Sequence, residues 1–289
     1  MTSKTVLITG CSSGFGYGCV NAFLEQGFRV VATLRDADTR KELFRDLLNR
    51  YESHLYVASL DVTDGEERKS IANLLETKFG GQLDCLINNA GFGLFGALED
   101  TSEAQIREQI EINLMGTVFL TRQLLPFIRA AKGRIINMSS VLGYMALPLS
   151  SMYAASKFAI EGFSESLRYE LSSHGVKVCI VEPGGFRTRF ADNQRWGEDA
   201  FNQNSAYRTQ TDNYSAFQNK QRTGAGTPPD AVIKACVHLA TARCPPFRVR
   251  CGNDAQMAYF LQCLLPSRFL DFLLNTMFDR VFHGRRGHD

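Results

Sequence analysis

The sequence predicts an α/β fold: one doubly wound parallel β-sheet of about seven strands, with helices on both faces. Three observations predict it. Short apolar, β-branched runs recur along the chain. Segments with helical periodicity alternate with them. The first run leads straight into a glycine-rich turn, GCSSGFGYG.

The elements follow in order. TVLIT (5–9), RVVATL (29–34), LYVASL (55–60), CLIN (85–88), RIINMS (134–139) and VKVCIVE (176–182) read as buried strands. Their near-continuous apolar character suits a parallel sheet covered on both faces. Helical patterns fill the gaps at roughly 15–26, 38–50, 64–78, 102–131 and 151–173. After residue 185 the regularity breaks. The segment 189–226 is polar and holds the only tryptophan, Trp196. A long irregular insertion in a compact domain is usually a lid or a mobile loop, and that is the expectation here. Order resumes with TPPDAVIKACVHLAT (227–241), where Thr227 can cap a helix with prolines in its first turn. FRVRCG (247–252) reads as a last strand, and 254–282 as an apolar helical tail. The whole chain, 1–289, reads as one domain.

Composition narrows the function. Of 289 residues, 44% are hydrophobic and 21% charged, with a net charge of +2. That is an ordinary globular balance with no electrostatic case for nucleic acid. The N-terminal apolar run is too short for a signal peptide, and no run reaches the roughly 18 residues of a membrane span. The eight cysteines form no C-x-x-C pair and read as reduced thiols, so a cytoplasmic location is expected. The five histidines are scattered, and no metal site is expected.

Chemistry concentrates in SSMYAASKFAI (150–160). Tyr153 and Lys157 are four apart and share a helix face. An ammonium beside a phenol favours the phenolate, which equips the tyrosine to exchange a proton near neutral pH. Alone, Y-x-x-x-K is equally a chance pair on a surface helix. In the glycine turn, Gly10, Gly14 and Gly16 follow G-x-x-x-G-x-G. Such a turn lets the backbone approach a pyrophosphate at a helix N-terminus, or simply packs helix on strand.

Together these motifs resemble the short-chain dehydrogenase/reductase family, whose sheet is of the Rossmann type. Asn88-Asn89-Ala90-Gly91 looks like the family's N-N-A-G. Asn113 sits at the asparagine of the following long helix. Ser140, thirteen residues before Tyr153, matches the catalytic serine. Pro183-Gly184 followed by Thr188 matches P-G-x-x-x-T. The matches run in order over about residues 5–190. The resemblance implies hydride transfer between a nicotinamide and an alcohol or carbonyl carbon. Tyr153 would be the general acid or base, and Lys157, with the positive nicotinamide of the oxidised cofactor, would lower its pKa and could also hydrogen-bond the nicotinamide ribose. Ser140 would hydrogen-bond the substrate oxygen, and Asn113 would hold a water linking Lys157 to solvent. Ser139, Ser150 and Ser151 are rivals to Ser140, and spacing favours Ser140.

For the cofactor, the resemblance assigns Gly10, Gly14, Phe15, Gly16, Asn88, Ala90, Gly91, Tyr153, Lys157, Pro183, Gly184 and Thr188. Ser12 and Ser13 in the glycine turn could add hydroxyl donors, and Asp61 and Val62 resemble the family's D-V pair beside the adenine or else are a strand end and a cap. The second strand ends Leu34-Arg35-Asp36, with leucine where NAD-preferring members often carry aspartate. Arg35 suits a 2′-phosphate, so NADP(H) is favoured over NAD(H); Asp36 argues the other way if the register shifts by one. Phe92, Phe95, Leu142, Tyr144, Met145, Phe186 and Phe190 offer a lining for a small lipophilic substrate, or else pack on one another. This lining is similar to the hydroxysteroid and retinol dehydrogenase branch. The apolar tail could complete the core, meet a partner subunit or rest on a membrane surface. By resemblance, a homodimer or homotetramer is expected. The competing function is a catalytically silent NADP-sensing or lipid-binding protein on the same fold. An epimerase or dehydratase is the third reading, but the sugar-nucleotide motifs it would need are missing from the sequence.

Overall fold

The computed structural model describes residues 3–186, 193–223 and 228–283. Its first half alternates strand and helix: β1 (Thr5–Ile8), α1 (Gly14–Glu25), β2 (Arg29–Leu34), the short α2 (Ala37–Arg40) and α3 (Arg45–Arg50), β3 (Leu55–Ser59), α4 (Gly65–Phe79) and β4 (Cys85–Asn88). A short strand β5 (Gly93–Phe95) then precedes α5 (Glu103–Ile110) and α6 (Thr117–Ala130). The second half runs β6 (Arg134–Met138), α7 (Ser151–Ser172), β7 (Lys177–Pro183), β8 (Gln194–Trp196), α8 (Arg208–Thr223), α9 (Asp230–Thr241), β9 (Arg248–Cys251), α10 (Asn253–Leu264) and α11 (Ser267–His283).

Seven strands pair in parallel in the order β3-β2-β1-β4-β6-β7-β9. Successive side chains of a strand point to opposite faces. Val6 and Ile8 therefore join one core with Phe23, Val30 and Leu239, while Leu7 joins the other with Leu75, Leu120 and Leu124. Both faces are covered, which is why the strands are apolar throughout. The chain winds outward in both directions from β1 and β4. The crevice beyond the carboxyl ends of these two strands is where such sheets bind ligands.

Helix starts follow local chemistry. Asp64 caps α4 by accepting from the amides of Glu66 and Glu67. Ser102 and Gln105 close a capping box on α5. Pro229 precedes α9; Thr227, expected as its cap, lies outside the described residues.

Three local expectations need correction. The long helix predicted over 102–131 is interrupted by a π-helical turn at Glu111–Gly116, which separates α5 from α6. The tail divides at Pro266 into α10 and α11. Most of the segment 189–226 is regular where it is described. β8 pairs in parallel with β5, and α8 packs against α11. Helix α8 has no apolar stripe a sequence reading would find. Its buried anchors are Thr211 and Tyr214, and it is held by the partner helix.

Candidate active site

The glycine turn joins β1 to α1. At Gly10, with φ +70°, a Cβ would lie 2.9 Å from Ala90 Cα. At Gly16 a Cβ would lie 2.4 Å from Gly10 O. These positions exclude side chains and bring the turn against the end of β4. Thr9 Oγ1 accepts from the amides of Asn89 and Ala90, both at 2.9 Å. Asn89 Nδ2 donates to Thr9 O at 2.8 Å. Ser13 stands at the N-terminus of α1 and makes no side-chain cap hydrogen bond. A helix N-terminus without a side-chain cap suits an anion.

A cavity of about 360 Å³ opens above this turn. Gly10, Ser12, Ser13, Gly14, Phe15, Arg35, Asp61, Val62, Ala90 and Gly91 line it, as the sequence predicts. Leu34, Leu60, Asn89 and Ile112 complete its wall. Phe92, Asn193, Arg40 and Arg195 also line it, and no sequence motif marks either arginine. Arg40 ends α2, one short helix after Arg35. Arg195 reaches in from β8, stacks 4.5 Å above the Phe92 ring and pairs with Glu108 at 2.5 Å. Asp36 does not line the cavity; it sits at φ 52° before α2.

Asn88 is absent from this lining. It is buried, and its amide donates to Thr121 Oγ1 at 3.0 Å and Asn137 Oδ1 at 2.8 Å. Asn88 ties β4 to its neighbours, and Asn89 takes the place at the cavity. Pro183 and Gly184 lie at the end of β7, away from that lining, and Gly184 faces Asp254. Thr188 and Phe190 lie outside the described residues.

The four polar residues predicted for chemistry come together, all buried: Asn113 from the π turn, Ser140 after β6, and Tyr153 and Lys157 on α7. Lys157 Nζ donates to Met138 O at 2.8 Å and stands 5.8 Å from the centre of the Tyr153 ring. Ser140 shares a hydrogen bond with the Tyr153 phenol. Of the rival serines, Ser150 donates to Leu147 O, Ser139 Oγ is buried with no hydrogen-bond partner, and Ser151 lines a separate cavity of about 530 Å³. Asn113 Oδ1 accepts from Phe92 N at 3.0 Å, and its Nδ2 donates to Phe92 O at 2.9 Å and Ser156 Oγ at 3.3 Å. The Asn113 side chain thus clamps the chain at Phe92. π turns recur at functional sites, and this one presents Asn113.

Burial governs the titration of this group. It pushes the Tyr153 phenol up to about 12, with the Ser140 hydrogen bond working against it. It brings Lys157 down to about 8, with Glu161 working against it. Loss of hydration sets both directions, and the lowering expected of the phenol draws on the positive nicotinamide as well as on Lys157.

Around Tyr153 the wall is apolar. Phe95, Tyr153, Tyr214 and Phe278 form one buried cluster, joined by Leu142, Leu147, Leu149, Trp196 and Leu274. The ring centres of Phe95 and Tyr153 are 5.8 Å apart. A second cavity of about 530 Å³ backs onto this cluster through Leu149 and Phe282. Of the predicted lining, Phe95 stands against Tyr153, and Leu142 packs on the same cluster. The others diverge. Phe92 turns to the glycine-turn cavity, and Phe186 packs 5.7 Å from Phe15. Tyr144 donates to Ala255 O at 2.7 Å and stacks edge-on against Tyr259. Met145 is half-buried outside the cluster.

Comparison with known proteins meets the geometry at this point. The family model described as short chain dehydrogenase matches residues 4–199. The chain belongs to the short-chain dehydrogenase family. Its members here are dehydrogenases and reductases of CH–OH groups, and this chain is an oxidoreductase of that kind. A 3-ketodihydrosphingosine reductase of Bacteroides thetaiotaomicron is 33% identical, over 99% of this chain and 100% of its own. A mitochondrial D-beta-hydroxybutyrate dehydrogenase of Bos taurus is 37% identical, over 84% and 75%. The solved structure of ElxO with NADP bound superimposes with a TM-score of 0.73 at 26% identity, over 89% of this chain and 100% of that one. The side-chain-free cradle at Gly10 and Gly16, below an uncapped helix N-terminus, fits the dinucleotide that this family uses. Among the described residues, no helix is long and apolar enough to cross a membrane.

Proposed function

We propose that the chain is an NADP(H)-dependent oxidoreductase that interconverts an alcohol and a carbonyl on a lipophilic substrate. The observation that carries this reading is the burial of Ser140, Tyr153 and Lys157 beside an apolar cluster, linked to the dinucleotide cavity through Asn113 and the Phe92 it clamps. When bound, the nicotinamide supplies or accepts the hydride. The chain's own residues do the rest. The turn from Gly10 to Gly16 would hold the pyrophosphate through backbone amides. Arg35 and Arg40 offer two guanidinium groups at the Leu34 end of the cavity, which suits a 2′-phosphate. ElxO with NADP bound supports that preference by likeness.

Tyr153 donates its phenolic proton to the substrate oxygen in reduction and takes it back in oxidation. Its phenol is held protonated by burial, as a donor needs. Lys157 carries the compensating charge. Ser140 steadies the substrate oxygen as charge grows. Asn113 has committed its amide to Phe92, so a proton-relay water would rest on the main chain of the π turn.

Phe95, Leu142, Leu147, Tyr214 and Phe278 exclude water around the reacting carbon. The cavity beside Leu149 and Phe282 is the route by which an apolar chain would enter. α8 and α11 form its outer wall and serve as the lid. The 3-ketodihydrosphingosine reductase among the relatives supports a lipophilic ketone; the D-beta-hydroxybutyrate dehydrogenase marks the alternative of a small hydroxy acid. The proposal extends to one catalytic domain in a cytoplasmic homodimer or homotetramer. Met257, Phe260, Leu264 and Phe272 are exposed on α10 and α11 and offer apolar surface for a subunit or a membrane.

The test is NADPH oxidation with a panel of long-chain ketones, ketosteroids, retinal and acetoacetate, alongside NADH. Tyr153→Phe should bind NADPH as the parent does and lose about 10²–10⁴-fold in turnover. Full activity in that variant would sink the assignment. Tight NADPH binding with no turnover on any substrate would favour the silent sensor.

A further inference from the structure

Behind Lys157 lies a buried ion cluster that the proposed chemistry does not use. Glu161 follows Lys157 by one helical turn on α7 and is buried. Arg248 of β9 reaches Glu161 Oε2 at 3.0 Å, Glu165 Oε2 at 2.7 Å and Glu182 Oε1 at 3.4 Å. Arg250 meets Glu182 Oε2 at 2.9 Å. Glu182, on β7, is 1% exposed. Carboxylates taken this far from water carry a large desolvation cost, so their presence asks for a reason.

The cluster touches the lysine's surroundings. Met138 O receives the Lys157 ammonium, and the next residue, Ser139, donates its amide to Val181 O, beside Glu182. A Cβ at Gly143 would lie 2.4 Å from Ser139 Oγ, 3.2 Å from Glu161 Cγ and 3.3 Å from Lys157 O. Glu161, Ser139 and the Lys157 backbone therefore pack around one point. Glu161 Oε1 is buried with no hydrogen-bond partner. Arg248 is shared among three carboxylates, Glu161 among them. The charged and titratable groups around Glu161 are Lys157 and Glu165 on α7, Glu182 on β7, Arg248 and Arg250 on β9, and Tyr144 before α7.

We propose that Glu161 is a positioning residue for Lys157: its carboxylate sustains the lysine's charge and, through Arg248, fixes α7 against β7 and β9. This rests on the reading of Tyr153 and Lys157 as the proton-handling pair. The sign is definite. A neighbouring negative charge favours the protonated form of both an ammonium and a phenol. Whichever of the two loses its proton first, removing the Glu161 charge makes that proton leave at lower pH.

The primary test needs neither cofactor nor substrate. The protein is labelled with ¹³C-lysine, and Lys157 is assigned by the signal lost in Lys157→Met. Its titration is followed by NMR from about pH 6 to 10. Glu161→Gln should lower the midpoint by about 0.5–1 pH unit, and Glu161→Asp by less. The alkaline limb of NADPH-dependent turnover should move the same way. Glu165→Gln, which removes an exposed partner of the same arginine, should leave the midpoint in place. If Glu161→Gln fails to fold, the Glu161→Asp shift decides. A midpoint that stays put or rises while thermal stability falls would make Glu161 a structural ion-pair partner only and overturn the proposal. Turnover surviving in Tyr153→Phe would instead overturn the functional reading, and the two failures are read from different variants.

Discussion

The cavity over the glycine turn and the cluster around Tyr153 each take one residue of β8, Arg195 and Trp196, yet they are assembled differently. The first is lined by Gly10, Ser12, Ser13, Gly14 and Phe15 from a single turn, with Asn89, Ala90 and Gly91 from a second. Its ligand contacts would be main-chain amides and close backbone approaches. The second draws Phe95 from β5, Trp196 from β8, Tyr214 from α8 and Phe278 from α11. Its contacts are side-chain surfaces brought from four distant segments. A site made of backbone tolerates few residue types at each position, because a Cβ at the wrong place meets main chain. A site made of apolar side chains needs only shape and volume, so many residue sets serve.

That contrast can be broken at several points. The largest effect is expected at Gly16. Gly16→Val puts side-chain atoms where even a Cβ lies 2.4 Å from Gly10 O. NADPH binding, followed by fluorescence, should be lost, and urea unfolding should show a destabilisation of about 1–3 kcal/mol. A variant that still bound NADPH would show that the turn packs helix on strand and does nothing more. Next come Arg35→Ala and Arg40→Ala. Each should weaken NADPH by about 10–100-fold, the scale of one charge-assisted contact, and leave NADH nearly unchanged. Equal losses for both cofactors would move the arginines away from the 2′-phosphate. The smallest effect is expected on the substrate side. Phe278→Ala should leave NADPH affinity intact and raise KM for apolar ketones by about 10-fold, the scale of a truncated hydrophobic contact. An unchanged KM for these ketones would take α11 out of the substrate wall.

The elements of the sheet were legible because each buried strand carries its own apolar run. The glycine turn and the pairing of Tyr153 with Lys157 were legible because their spacing lies within one turn or one helix. Asn88 shows the limit of motif reading. Its neighbour Asn89 reaches the cavity, and the alternation of side chains along the chain decides which of the two does. Arg195 and Tyr214 carried no signal. They lie in a polar stretch whose strand is three residues long and whose helix has no apolar stripe, and long-range packing alone forms both. A cue for β8 did exist: the lone Trp196 in a polar segment marks an anchor, and it packs 6.1 Å from Phe95.

Tyr144 and Phe186 illustrate the same point in reverse. Both looked like lining by composition, and both are engaged elsewhere, with Ala255 and with Phe15. By itself the sequence determined the α/β class, the strand and helix order, the glycine cradle and the identity of Asn113, Ser140, Tyr153 and Lys157 as one group. The class, the order and the cradle depend on local periodicity and on spacing along a single element, whereas Asn113 and Ser140 lie on other elements than Tyr153 and Lys157 and were named by resemblance to the family. Tertiary structure decided which aromatics surround Tyr153, which arginines reach the dinucleotide cavity, and the direction in which Tyr153 and Lys157 titrate. Burial sets that direction, and burial is a property of the segments that fold over a residue, most of them far from it in sequence.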